Sequence, residues 1–152
     1  MARYADVELP DDLFYDPIDH LWSRVEEGGV RIGLDQFGQK AAGTVAHLKL
    51  LPVGKVLKKG RSMGALEAGK FIGPLKAQVA GTIIAVNDAV LANPSLVNTA
   101  PYDTWFVLVE PVDAVADLAD RISGAEAIAT WLEAEYRDYV GKGFFEDPGH
   151  DV

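Results

Sequence analysis

Ser62-Met63-Gly64-Ala65-Leu66-Glu67-Ala68-Gly69-Lys70-Phe71-Ile72-Gly73-Pro74-Leu75-Lys76-Ala77-Gln78-Val79-Ala80-Gly81 is the stretch on which the reading of this chain turns. Residues 64–70 fit the spacing G-x-x-x-x-G-K, in which backbone N–H groups cradle phosphates and the lysine reaches the outer ones. The fit ends at the next residue. A phosphate loop needs Ser or Thr after the lysine to hold Mg²⁺ and a helix whose N-terminus faces the phosphate; here Phe71 follows, and Gly73-Pro74 would break a helix at once. The alternative is a hairpin with Gly69-Lys70 at its tip, because short β-prone runs flank a glycine-containing turn on both sides. The lysine then projects into solvent, and on spacing alone it is an ordinary solvated turn residue.

Outward from this hairpin, short apolar runs are broken by glycine and proline at close intervals, the pattern of a compact all-β sandwich or barrel. Strands are expected at 21–26, 30–34, 43–50, 62–68, 76–79, 81–86 and 105–110, with single helical turns at 37–42 and 87–92. Gly43-Thr44-Val45 and Gly81-Thr82-Ile83 open similar segments, which suggests a weak internal duplication of two β units packed face to face. The expected fold is therefore mainly β, a flattened barrel/sandwich hybrid of two similar β units with a C-terminal helix.

After Pro111 the chain becomes alanine-rich and acidic. Ser123-Gly124-Ala125-Glu126 offers a capping box, and Ile128, Trp131, Leu132, Tyr136 and Tyr139 then recur at helical spacing as one apolar stripe. The stripe predicts a helix docked on the β unit. The expectation is a single domain over residues 1–152: a β core at about 15–110, a helical extension at about 113–140 and a loose tail at 141–152.

Composition narrows the function. A net charge of −9 and a pI near 4.7, with Lys and Arg read as scattered, argue against a nucleic-acid or anionic-membrane partner. No run approaches the roughly 20 apolar residues of a bilayer span and the first residues do not read as a signal peptide, so a cytoplasmic location is expected. The chain has no cysteine, so any thiol chemistry must come from an attached group. His20, His47 and His150 lack the spacing of a metal site, and no metal is expected; no nucleophile and base stand together, so the chain does not read as an enzyme.

Beyond the spacing, the chain from about residue 15 to 110 resembles the H proteins of the glycine cleavage system. The matching marks are His20-Leu21-Trp22, Ile32-Gly33-Leu34, Leu51-Pro52-Val53-Gly54, Leu66-Glu67-Ala68-Gly69-Lys70, Val79-Ala80-Gly81, Val86-Asn87-Asp88-Ala89, Asn93-Pro94-Ser95-Leu96-Val97-Asn98 and Pro101-Tyr102. The resemblance implies a lipoyl-domain type of fold, lipoic acid amide-linked to Lys70, recognition of the hairpin by a lipoate attachment enzyme through Glu67, and a shaping role for Gly81. Gly69 completes the turn, and His20 is the histidine expected at the arm's cleft. Dihydrolipoamide dehydrogenase is a further implied partner.

The departures from the family pattern bear on the cargo. The glutamate usual between the His and Trp of H proteins is Leu21, and the acid usual four residues after the modified lysine is Pro74. Asp35-Gln36-Phe37 replaces the usual Thr-Asp and aromatic or His. A carboxylate that contacts a charged amine in a partly dry cleft contributes about 1.5–3 kcal/mol, so loss of two should weaken retention of an aminomethyl cargo by more than about tenfold. The 69–74 stretch looks like the divergent H-like lipoate-binding proteins of sulfur oxidation, which work with a heterodisulfide reductase-like complex. The first expectation is thus a sulfur-bound cargo, with the glycine cleavage enzymes as the alternative. A biotin carrier would show Met-Lys-Met at the tip, which is absent, and an unmodified β interaction domain is the remaining alternative.

Overall fold

Successive side chains of a strand point to opposite faces, and Leu21 and Trp22 use that rule to enter two separate cores. The computed structural model describes residues 1–149; the end of the expected loose tail, with His150, lies outside the described residues. The chain opens with the hairpin β1 (Ala2–Tyr4) and β2 (Val7–Leu9), then β3 (Phe14–Tyr15), β4 (Leu21–Glu26) and β5 (Gly29–Leu34). Helix α1 (Gln36–Ala42) leads to β6 (Val45–Leu50), β7 (Val56–Leu57), β8 (Ser62–Ala68), β9 (Phe71–Lys76) and β10 (Gly81–Val86). Helices α2 (Asp88–Ala92) and α3 (Leu96–Thr99), strand β11 (Trp105–Pro111), and helices α4 (Ala114–Leu118) and α5 (Ala125–Gly141) complete it.

The strands form a six-stranded sheet in the order β3-β4-β5-β11-β10-β7, a three-stranded sheet β6-β8-β9 and the β1-β2 pair, all antiparallel. One face of the six-stranded sheet gives Leu21, Ile32, Ile83, Val107 and Val109 to a core shared with Leu48, Met63, Leu66 and Leu75 of the three-stranded sheet. The other face gives Trp22 to a second core, with Leu9, Phe37 and the α5 residues Ile128, Leu132 and Tyr136. The mainly β fold with a docked C-terminal helix is thus as expected. The apolar stripe divides: Ile128, Leu132 and Tyr136 are buried, while Trp131 and Tyr139 are half-buried.

Several local expectations are corrected. The strand expected at 76–79 lies earlier, as β9, because the turn is only two residues long and the chain pairs again at Phe71. Pro74 is tolerated inside it because β9 is an edge strand with β8 as its one neighbour. The capping box does not form: Gly124, with φ 85°, takes the N-cap position, and no side chain caps α5. Residues 143–145 are not loose, since Phe144 and Phe145 N–H groups donate to the Tyr139 carbonyl at 2.9 and 3.3 Å and Phe145 is buried in the second core. The echoed glycines differ in role: Gly43 ends α1 with φ 83°, two residues before β6 starts, whereas Gly81 is the first residue of β10 and pairs within its sheet.

Gly81 sits between Pro111 and Leu57 in the six-stranded sheet, and a Cβ there would lie 2.1 Å from the Glu110 carbonyl oxygen. Gly81→Ala is therefore expected to lower stability by about 1–3 kcal/mol in denaturant titrations. Gly69→Ala, whose Cβ would meet no atom within 4 Å, is expected to change it by less than about 0.5 kcal/mol.

Candidate functional site

The pairing of Ala68 with Phe71 leaves Gly69 and Lys70 as the turn between β8 and β9. Two-residue hairpin turns usually need positive φ, yet neither residue has it. The turn is held from outside instead. The Gly69 N–H donates to the Thr44 carbonyl at 3.1 Å and the Lys70 N–H to the Ala42 carbonyl at 2.8 Å. These acceptors belong to the connection from α1 to β6, which Asn98 clamps: its Nδ2 donates to the Gly43 carbonyl at 2.9 Å and its Oδ1 accepts from the Val45 N–H at 2.9 Å. The Lys70 backbone is thereby anchored to the body of the protein while its side chain is exposed.

Glu67 is exposed on β8, opposite His47 of β6 and Ile72 of β9. Gly81 is in the other sheet, so among the residues singled out by sequence it is the one the fold keeps away from the turn. Its close backbone contact gives it a structural reason of its own.

Lys70 stands at a cleft of about 560 Å³. One side is made by Leu66, Phe71, Pro74 and Leu75 of the hairpin, and others by His20, Leu21 and Leu34, by Gly38 and Ala42 of α1, and by Tyr139 and Phe144 from the C-terminal segment. Leu21 and Pro74 both line it, so the two altered positions lie where an attached arm could reach. Among the described residues Asp19 is the carboxylate lining the cleft, with its Oδ2 3.5 Å from Lys76 Nζ.

His20 carries the strongest electrostatic coupling in this wall. It is 4% exposed and adopts φ 60°, with its ring stacked on Phe37 at 4.4 Å and on Trp131 at 5.2 Å. Nδ1 lies 3.5 Å from Asp35 Oδ2 and Nε2 lies 3.0 Å from Glu135 Oε2. Each ring nitrogen faces a carboxylate oxygen, and neither contact meets the geometry of a well-aligned hydrogen bond. Burial works against the charged ring, but Asp35 first and Glu135 next outweigh it and hold the imidazole up at about 9. Asp35 is itself fully buried, and its other oxygen caps α1 by accepting from the Gly38 N–H at 2.7 Å.

Sequence reasoning placed Lys70, Glu67, Gly69 and His20 in one region, and the fold brings Lys70 and His20 to one cleft, with Gly69 and Glu67 beside Lys70 on the hairpin. It missed the Ala42 and Thr44 carbonyls, the Asn98 clamp, Glu135 and Phe144. Asn98 stood inside a matching motif, but nothing local to it reveals partners more than fifty residues away.

The pH dependence of stability follows from His20. Its pKa rises from 6.5 to about 9 on folding, so the stabilisation is fully present below pH 6.5 and is lost as pH rises through about 9. The denaturation midpoint of the unaltered chain should fall across that window, and this component of the fall should be absent in His20→Gln.

Comparison with known sequences gives a consistent picture. The sequence model of the family described as Glycine cleavage H-protein matches residues 13–135. A glycine cleavage system H protein 2 from Aquifex aeolicus is 34% identical over 145 residues, which covers 94% of this chain and 90% of the relative. A glycine cleavage system H protein from Salinibacter ruber is 37% identical over 124 residues, 81% of this chain and 98% of the relative. The crystal structure of a glycine cleavage system H protein from Mycobacterium marinum superposes with a TM-score of 0.69 at 26% identity, over 90% of this chain and all of that one (100%).

Proposed function

Because the chain belongs to the glycine cleavage H-protein family, whose members carry a lipoyl group on lysine, we propose that it is a lipoyl carrier with the arm amide-linked to Lys70. The observation that carries this reading is an exposed lysine on a backbone-anchored turn beside a largely apolar cleft. When attached, the lipoyl group supplies the redox-active sulfur pair that a cysteine-free chain lacks. The chain's own residues do the rest. Ala42 and Thr44 hold the turn, Glu67 is displayed to the attachment enzyme, and Leu21, Leu34, Leu66 and Leu75 offer a partly dry resting place for an apolar arm. The protein has no catalytic set in this reading and is a substrate for its partner enzymes.

The named relatives favour the glycine cleavage enzymes as those partners, with an aminomethyl group as cargo and dihydrolipoamide dehydrogenase as the enzyme that resets the arm. A second reading is favoured by the cleft itself. Leu21 and Pro74 stand where H proteins keep acids, and the Asp19 carboxylate is shared with Lys76. Such a wall suits an uncharged, sulfur-bound intermediate delivered to a heterodisulfide reductase-like complex.

Intact mass tests the shared part of both readings. Incubation with lipoate, ATP and a lipoate–protein ligase should add one lipoyl group, and Lys70→Ala should abolish the gain. Glu67→Ala should slow attachment while it shifts stability by less than about 0.5 kcal/mol. No gain under conditions that modify a control carrier would refute the reading.

Glycine–bicarbonate exchange with a purified glycine decarboxylase separates the two cargoes. Exchange at the rate of a standard H protein supports glycine cleavage. Exchange more than about tenfold lower, raised by Pro74→Asp at its exposed position, supports the uncharged cargo, because the new carboxylate gives an ammonium a charge-assisted partner.

A further inference from the structure

Charge is divided unevenly along this chain. Residues 36–87 hold eight of the 14 lysines and arginines but one of the 23 acids, Glu67. The segment builds α1, β7, β10 and all three strands of the arm-bearing sheet, so the fold turns an asymmetry of sequence into one of surface. Residues first read as scattered are therefore gathered.

On the solvent side of that sheet, His47, Glu67 and Ile72 form one cross-strand row, Lys49 faces Ala65 in the next, and Ser62 faces Lys76 beyond. All seven are exposed. From Ser62 the chain runs back through Arg61, Lys59 and Lys58 to Lys55, and the Leu51 N–H donates to the Met63 carbonyl to continue the β6–β8 ladder towards them. Lys59 is tied to Asp120 and Lys76 to Asp19, but among the described residues Lys49, Lys55, Lys58 and Arg61 make no ion pair. Val53 and Val56 lie in the same stretch at 60% and 71% exposure.

A chain with a net charge of −9 has no need of these cations for solubility, and their mutual repulsion opposes the compact state. Exposed cations around apolar side chains are suited to a surface of opposite charge. We propose that this basic face docks the enzyme that attaches the arm, through a carboxylate-rich surface on that enzyme. The inference rests on the reading of Lys70 as the attachment site. Strands β8 and β9 both run through the face and meet at the Gly69-Lys70 turn; Arg61, just before β8, stands at the other end, roughly 30 Å of extended chain away, so an enzyme that covers the cations and reaches Lys70 lies along the length of the hairpin. A second copy of the chain would also offer acids, but the two copies share the same net charge of −9, whose repulsion opposes their approach. A nucleic acid would meet the same net negative charge beyond the patch.

The test uses the full-length unmodified chain and a lipoate–protein ligase that labels it, with KM and kcat read by intact mass. Lys49→Glu, Lys55→Glu, Lys58→Glu and Arg61→Glu are combined, with Lys59 and Lys76 kept because they make ion pairs; circular dichroism verifies the fold, and Lys58→Glu alone serves as the milder variant. At low salt the combined variant should raise KM by more than about tenfold with kcat within about twofold. The KM of the unaltered chain should climb between about 20 and 200 mM NaCl, while that of the variant stays nearly flat. Glu126→Lys with Glu133→Lys, on α5, should leave KM unchanged. Equal KM values and salt responses for the unaltered chain and the basic-face variants would overturn the docking proposal. So would an unchanged KM accompanied by self-association of the unaltered chain that the variant loses, which would assign the face to a second copy. Failure of the ligase to label Lys70 in the unaltered chain would refute the carrier reading itself, and is seen before any variant is compared.

Discussion

The six-stranded sheet has to bury both of its faces, and the rest of the molecule is arranged around that constraint. Leu21 and Trp22, adjacent in β4, point to opposite sides and demand different covers. The three-stranded sheet covers one side; α5 with the β1-β2 hairpin covers the other. The cleft draws its walls from both layers, with Leu66 and Leu75 from the first and Tyr139 from the second. Its position beside Lys70 is a consequence of how the sheet is covered.

His20 ties α1 to α5 within the second cover. It precedes Leu21, stacks on Phe37 of α1 and on Trp131 of α5, and stands between the carboxylates of Asp35 and Glu135. Trp131 and Glu135 are four residues apart and so share one face of α5, which lets a single ring meet both an aromatic plane and a charge. Burying an ion is costly, and two buried or half-buried carboxylates around one imidazolium offset that cost only while the ring keeps its proton. The wall of the cleft and the docking of α5 are thereby linked to one protonation state. The opposite wall, the hairpin, is anchored by backbone hydrogen bonds that have no such dependence on pH in the neutral range.

What was legible in the sequence was what local spacing determines. The hairpin tip followed from β-prone runs around Gly69-Lys70, and α5 from an apolar stripe. What was not legible depended on neighbours. Gly73-Pro74 reads as a helix breaker and the strand is expected after it, at 76–79, whereas β9 runs through Pro74 because it is an edge, where a missing N–H opposes no partner. The three-residue strands β1 and β2 are too short for a period to show and are stabilised by the second core. The Ser123 capping box failed because Gly124 turns the backbone to φ 85° before the helix starts. Asn98 acts on residues 43 and 45, a relation that exists only in three dimensions. Lys55, Lys58, Lys59 and Arg61 are close along the chain, but strand pairing is what adds Lys49, opposite Ala65, and Lys76, opposite Ser62, to the same sheet face.

These features bear on one requirement of a carrier. A group that visits several enzymes must be mobile, yet each enzyme must find its attachment point in a constant place. Here the two demands fall on different atoms. The Ala42 and Thr44 carbonyls fix the backbone of the turn, and the mobility is left to the lysine side chain and whatever it bears. Recognition can then be placed on the rigid sheet behind the turn, where exposed residues are free to differ from one family member to another without disturbing the anchor. In the proposed function the cleft completes the division of labour, its apolar wall bearing on what the arm holds and the sheet face on which enzymes approach it. A change of cargo would therefore be expected to alter residues such as Leu21 and Pro74, and a change of partner to alter residues such as Lys49 and Lys58, with the Gly43–Val45 clamp left unaltered by either.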